Sequence, residues 1–167
     1  KCNLIMRDIE LLKEIDKKAL LPEDLKITLG RGAILSVSLS SLDPIISQTL
    51  EPGGLPPLKR LQLLRQLKEE GFLAGVNAIP TLPFISDTEE ELAKMIVSAK
   101  QHNADYILVG GLTLFGNEAA DSKTLYYKFL QRNRPELLPK YQVLYGNYSS
   151  PSQAYQEQLR IKFDKLC

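Results

Sequence analysis

The 167 residues predict an α/β fold of parallel βα repeats that form part of an open (β/α) barrel, with a helical carboxyl-terminal extension. Short apolar runs alternate along the chain with longer segments of helical periodicity. Successive runs are separated by enough chain to hold a crossover helix, which parallel pairing requires. Finally, the middle runs are apolar on one face and small or polar on the other, whereas the central strands of a doubly wound sheet would be apolar on both.

Asn3 to Met6 reads as a first short strand. Ile9, Leu11, Leu12, Ile15 and Ala19 then recur at helical spacing, with Asp8 as N-cap and Pro22 as the stop. Asp24 to Arg31 reads as a small irregular excursion. The second strand, Ile34 to Leu39, alternates strictly: Leu35, Val37 and Leu39 face one way, and Ser36, Ser38 and Ser40 the other. Leu50 to Pro57 is a loop dense in breakers, with Pro57 suited to the first turn of a helix that runs to Glu70 and stops at Gly71. Phe72 to Ile79 is the third strand, with Ala74, Val76 and Ala78 on one face and Gly75 and Asn77 on the other. Asp87 and Glu90 then read as N-cap and reciprocal acid of the helix Glu89 to Lys100. Ala104 to Val109 is the fourth strand; Gly110-Gly111 closes it, and Leu112 to Phe115 is a candidate extension. Helices follow around Ser122 to Arg132 and Ser152 to Leu166. The chain divides into residues 1–116, the βα units, and residues 117–167, a helical, Tyr-rich extension.

Composition removes several function classes. With 21 basic and 20 acidic residues, no overall field favours nucleic acid or an anionic surface. No apolar run approaches the ~18 residues of a membrane span, and no signal-peptide pattern opens the chain, so no membrane partner and a cytoplasmic location are expected. A single histidine, His102, sits in the polar helix end Lys100 to Asn103, where a structural role is expected, and the two cysteines, Cys2 and Cys167, stand at opposite ends. Zinc-site spacing, a C-x-x-C and a Ser-His-Asp triad are therefore not expected.

In parallel βα folds ligands bind at the carboxyl ends of the strands. That places Ser38, Ser40, Ser41, Asp43, Asn77, Pro80, Thr81, Gly110 and Gly111 at a candidate site. Hydroxyls and an amide suit ribose, carboxylate or amino groups, and paired glycines let a backbone approach a flat ring. This is a binding inventory without a proton-transfer pair. Glu89-Glu90-Glu91 complements a helix dipole, and Glu51 with Arg60 is read as a structural pair across a loop. Six of the seven tyrosines fall after the fourth strand, in a tail with eight basic against five acidic residues. Lys123, Lys128, Arg132, Arg134 and Lys140 between aromatic residues suit nucleic acid, but a cap packing aromatic rings over one end of the sheet is the simpler reading.

The order of Lys1 to Leu12, Ser36 to Asp43, Leu50-Glu51-Pro52 with Arg60-Leu61, and Ala78 to Pro83 with Asp87 resembles the later part of radical S-adenosylmethionine proteins. Within that superfamily it is most similar to the spore photoproduct lyase-like, DNA repair photolyase branch. The resemblance covers about Lys1 to Phe115, and the stretch Tyr127 to Tyr148 is also similar. It implies that residues 1–116 are the later units of a partial (β/α)6 barrel, and that a three-cysteine motif holding a 4Fe-4S cluster belongs to an earlier unit absent here. It also implies that Ser38, Ser40, Asn77 and Gly110 meet S-adenosylmethionine, and that the full-length protein is an enzyme with 5′-deoxyadenosyl radical chemistry on an unknown substrate. This chain alone is then expected to be inactive and to bind no iron through cysteine. DNA, which the branch's name suggests, is a weakly supported partner. Two departures stand out: Phe84 occupies a position where relatives often have Gly, and Thr113 one where many have Arg. A non-catalytic α/β binding or scaffold domain is the alternative reading.

Overall fold

The computed structural model describes residues 2–167. Its centre is a three-stranded parallel sheet in the order β1 (Ile34–Ser38), β2 (Leu73–Thr81), β3 (Ile107–Gly111). Each crossover carries helix: α3 (Pro44–Leu50) and α4 (Pro57–Glu69) between β1 and β2, then α5 (Glu89–Gln101) between β2 and β3. The prediction of an α/β fold with parallel pairing therefore holds.

The first expected strand does not form. Asn3–Asp8 is a 3₁₀ helix that runs into α1 (Ile9–Lys18). Ile5, Met6 and Ile9 pack against the main core, a spacing of one helical turn in place of alternation, so the segment extends the helical face that follows it. Asp8 occupies the N-cap position without capping; its carboxylate pairs with Arg7. The excursion after Pro22 contains a regular helix, α2 (Glu23–Thr28). Asp16 of α1 then anchors the entry to β1, accepting from the backbone N–H of Gly32 at 2.7 Å and Ala33 at 2.9 Å.

The sheet buries one face. Val37, Leu39, Ala74, Val76 and Ala78 meet Leu61, Leu64 and Leu67 of α4 and Met95 and Ala99 of α5. Pro57 at N1 and Gly71 past the end delimit α4 as the sequence predicts. At α5 the capping differs from expectation: Thr88, not Asp87, is the N-cap, its hydroxyl accepting from Glu91 N. Asp87 is buried instead, and its carboxylate accepts from Phe84 N and from the Tyr155 hydroxyl, both at 2.7 Å. His102 closes α5 with Nδ1 2.7 Å from the Ser98 carbonyl, a structural role.

The carboxyl-terminal helices α6 (Ser122–Asn133), α7 (Leu138–Tyr145) and α8 (Gln153–Leu166) cover the sheet's carboxyl ends and its β3 side. Tyr126, Phe129, Leu130, Tyr141 and Tyr145 form a second core with Ile46, Leu82, Leu112 and Leu114. Leu159 and Phe163 of α8 pack on Leu92 and against Ile107 and Val109. The tyrosine-rich tail is thus an aromatic cap. Leu112 to Phe115 does not extend β3; Leu114 N donates to Ser149 O, in the loop leading to α8.

Candidate functional site

Among the described residues, no helix covers the other face of the sheet. Registered pairs share a face, which places Ser36 beside Gly75, Ser38 beside Asn77, and Asn77 beside Leu108. Ile34, Ile79 and Leu108 are 51%, 45% and 51% exposed there. One side chain crosses this surface: Tyr106 donates from its hydroxyl to Leu35 O at 2.8 Å. Glycine at 75 is required by that crossing, because a Cβ there would lie 2.7 Å from the Tyr106 ring and press on its backbone oxygen. The serine and asparagine parity read from the sequence is therefore the parity of the uncovered face.

Of the four predicted cofactor-binding residues, three share this face. Ser38 and Asn77 are half-buried neighbours in register. Asn77 Oδ1 accepts from Ile79 N at 3.2 Å, which orients the amide along the strand end. Gly110 lies against Ile79, whose Cγ1 would be 3.1 Å from a Cβ at that position. Ser40 stands apart, past the end of β1, where its hydroxyl is 3.4 Å from Glu51 Oε1.

Glu51 belongs to a buried ion pair with Arg60. The Arg60 side chain is 3% exposed and also donates to Leu55 O at 2.6 Å and Ser38 O at 3.0 Å. A single guidinium thus joins the end of β1, the proline-rich loop and the start of α4, as the expected pairing of these two residues requires. Asp43, assigned to the strand end by sequence, caps α3 by accepting from Ile45 N and Ile46 N.

Beyond the strand ends, between α3 and α6, opens a cavity of about 660 Å³. Leu82, Leu112, Leu114 and Phe129 supply apolar wall, Ser40 and Glu51 polar floor, and Lys128 and Arg132 of α6 reach its lining. Tyr126 and Phe129 of the aromatic cap form part of its lining, and the rest of the cap lies behind them. Tyr141 donates to Pro83 O at 2.6 Å, so Tyr126, 2.8 Å away, donates to Tyr141, and Tyr145 donates to Leu112 O at 2.6 Å. Burial pushes all three phenols well above the ordinary tyrosine range, and Tyr155 rises for the same reason with Asp87 beside it adding to the shift. Phe84 lies at the edge of this cap with φ +60°, the left-handed region that favours glycine, and its ring meets Tyr141 edge-on at 5.7 Å. The departure seen in the sequence thus falls at a position whose backbone suits Gly.

No family model matches the chain, and no solved structure matches it. It is similar to uncharacterized proteins of Mycobacterium tuberculosis and Mycobacterium bovis, 29% identical over 168 aligned positions that take in 99% of this chain and 44% of theirs. An uncharacterized protein of Acidianus two-tailed virus is 27% identical over 107 positions, 62% of this chain and 31% of its own length. The chain spans less than half the length of the mycobacterial relatives it matches.

The sequence reading assigns no element between the second strand and the loop that begins at Leu50, so α3 and the cavity beside it go unseen. The signal was present: Asp43-Pro44, an N-cap followed by proline at N1, precedes Ile45 and Ile46. The second helix of the cap, α7, was missed too, and with it the enclosure of Tyr141 and Tyr145. No helix among the described residues is long and apolar enough to cross a membrane.

Proposed function

We propose that this chain is the later part of a radical S-adenosylmethionine enzyme, in which the uncovered face of the sheet is the inner wall of a partial barrel and helps to position the cofactor. The observation that supports it is the sheet's asymmetry. One face is sealed by α4 and α5, while the opposite face presents Ser38, Asn77 and Gly110 together near the carboxyl ends of parallel strands. β1 is also an edge strand with neither charge nor proline to protect it, which suits pairing with a further parallel strand.

The residues present suit one cofactor and not the other. A hydroxyl at Ser38 and an amide at Asn77 can bond ribose or amino-acid groups, while Gly110 lets the Ile79 side chain pack close to the strand beside them. By contrast, no three His, Cys, Asp or Glu side chains among the described residues are grouped to hold a metal, and Cys2 and Cys167 are exposed free thiols. On this reading the cluster ligands come from residues outside this chain. When bound, S-adenosylmethionine supplies the hydrogen-abstracting chemistry of the superfamily. The role of this chain is to bind and orient: Arg60 fixes the Ser38 carbonyl, Ile79 N fixes the Asn77 amide, and Tyr106 stiffens the face on which both stand.

The test is cofactor affinity of the protein expressed from its complete reading frame, by calorimetric titration under anaerobic conditions. Ser38→Ala with Asn77→Ala should weaken S-adenosylmethionine binding by about tenfold, the loss of two hydrogen bonds. Unchanged affinity would remove the assignment.

A further inference from the structure

We propose that the cavity between α3 and α6 is a second binding site, for an organic phosphate monoester with an apolar body. The inference rests on the cavity alone and stands whether or not the open face of the sheet takes a cofactor.

Size comes first. At about 660 Å³ the cavity is within the range of small-molecule sites, roughly 300–1,000 Å³. Its wall is apolar and well ordered by the second core, since Leu82, Leu112, Leu114 and Phe129 are each at most 8% exposed overall. A ligand with a ring or short chain would remove apolar surface on both sides from water.

Charge selects the class of ligand. Glu51 at the floor is compensated by Arg60, so that pair contributes no net charge. Lys128 and Arg132 remain, one helical turn apart on α6, and neither forms an ion pair or a side-chain hydrogen bond among the described residues. Two positive charges next to an apolar wall are complementary to an anion of about two charges, which a phosphate monoester carries near pH 7. The guanidinium fork suits paired phosphate oxygens, and the ammonium acts as a point charge beside it. A bare inorganic anion would leave the wall unused, and an uncharged apolar molecule would leave both cations unused. Ser40 and the Glu51 carboxylate at the floor can bond a hydroxyl or amine on the far end of the ligand.

The experiment uses three probes on the protein expressed from its complete reading frame, by calorimetric titration: 1-naphthyl phosphate, 1-naphthol and inorganic phosphate. The phosphate ester is expected to bind saturably, and each of the other two about tenfold more weakly or worse. Lys128→Gln with Arg132→Gln should cost about tenfold in affinity for the ester and leave that for naphthol unchanged. Both side chains are exposed, so the variant should melt as the wild type does. A second variant, Thr113→Phe, fills the cavity from the β3 side and should abolish binding of ester and naphthol alike. Equal affinity for ester and naphthol, no saturable binding of the ester, or an ester affinity untouched by the glutamine pair would each overturn the proposal.

Discussion

Replacing Glu51 by Gln removes one partner of the most enclosed ion pair among the described residues while keeping nearly the same shape. Arg60 would stay where it is, because its Nε and Nη1 still reach Leu55 O and Ser38 O. Its charge would then sit 3% exposed without a carboxylate. Breaking a buried pair from one side costs about 3–5 kcal/mol, and the retained amide oxygen of Gln with two intact carbonyl acceptors argues for the lower end, ~3 kcal/mol. For a chain of this size that corresponds to a fall in melting temperature of about 6–12 °C. Thermal unfolding followed by circular dichroism at neutral pH reads it directly. Buried charge is little screened, so the loss should be the same at ~0.05 M and ~0.5 M salt. The double variant Glu51→Gln with Arg60→Met should lose less than the sum of the two single variants, since it leaves neither charge stranded. A Glu51→Gln protein melting within about 1 °C of wild type would refute the reasoning, because the guanidinium would then have to be solvated in the native state.

Three further outcomes follow from the same geometry. Tyr141→Phe should lower stability by about 1–3 kcal/mol in chemical unfolding, since Pro83 O loses a buried donor and Tyr126 its acceptor. Stability should fall as pH rises above about 10, because the buried phenols of Tyr126, Tyr141, Tyr145 and Tyr155 hold their protons in the folded state while the unfolded chain releases them near its ordinary tyrosine value. Below that pH the contribution is fully present, and the part of the phenolate absorbance owed to these four residues should rise only together with unfolding. Binding to duplex or single-stranded DNA at ~150 mM salt should be no tighter than about 10⁻⁴–10⁻⁶ M, measured by fluorescence anisotropy, given the small excess of cations in the tail; submicromolar binding lost on changing Lys128, Arg132 and Arg134 to Gln would contradict it.

The sheet was legible because strand alternation is a property of local sequence. Val37 and Leu39, or Ala74, Val76 and Ala78, can only share a face if the run is extended, and their register follows once one face is buried. Asn3 to Met6 failed for the same reason in reverse: four apolar-rich residues carry too little period to separate strand from helix, and the core contact at Ile9 decides. Asp87 was misassigned because capping chemistry is satisfied by any nearby N–H. Thr88 reaches Glu91 N, and Asp87 is drawn inward by Tyr155, 68 residues away, which no local window contains. Of the candidate site, the parity of Ser38 and Asn77 and the Glu51–Arg60 pair were readable. The separation of Ser40, and the cavity it lines, depend on how α3 and α6 meet, a long-range contact with no sequence period.

Radical chemistry is read out by reductive cleavage of S-adenosylmethionine by the protein expressed from its complete reading frame, reconstituted with iron and sulfide under anaerobic conditions and assayed by chromatography for 5′-deoxyadenosine. Product formation should need a strong reductant and fall about tenfold or more at subsaturating cofactor in the Ser38→Ala, Asn77→Ala variant. Absence of 5′-deoxyadenosine from a reduced, cluster-loaded protein, or formation at the wild-type rate in that variant, would contradict the assignment.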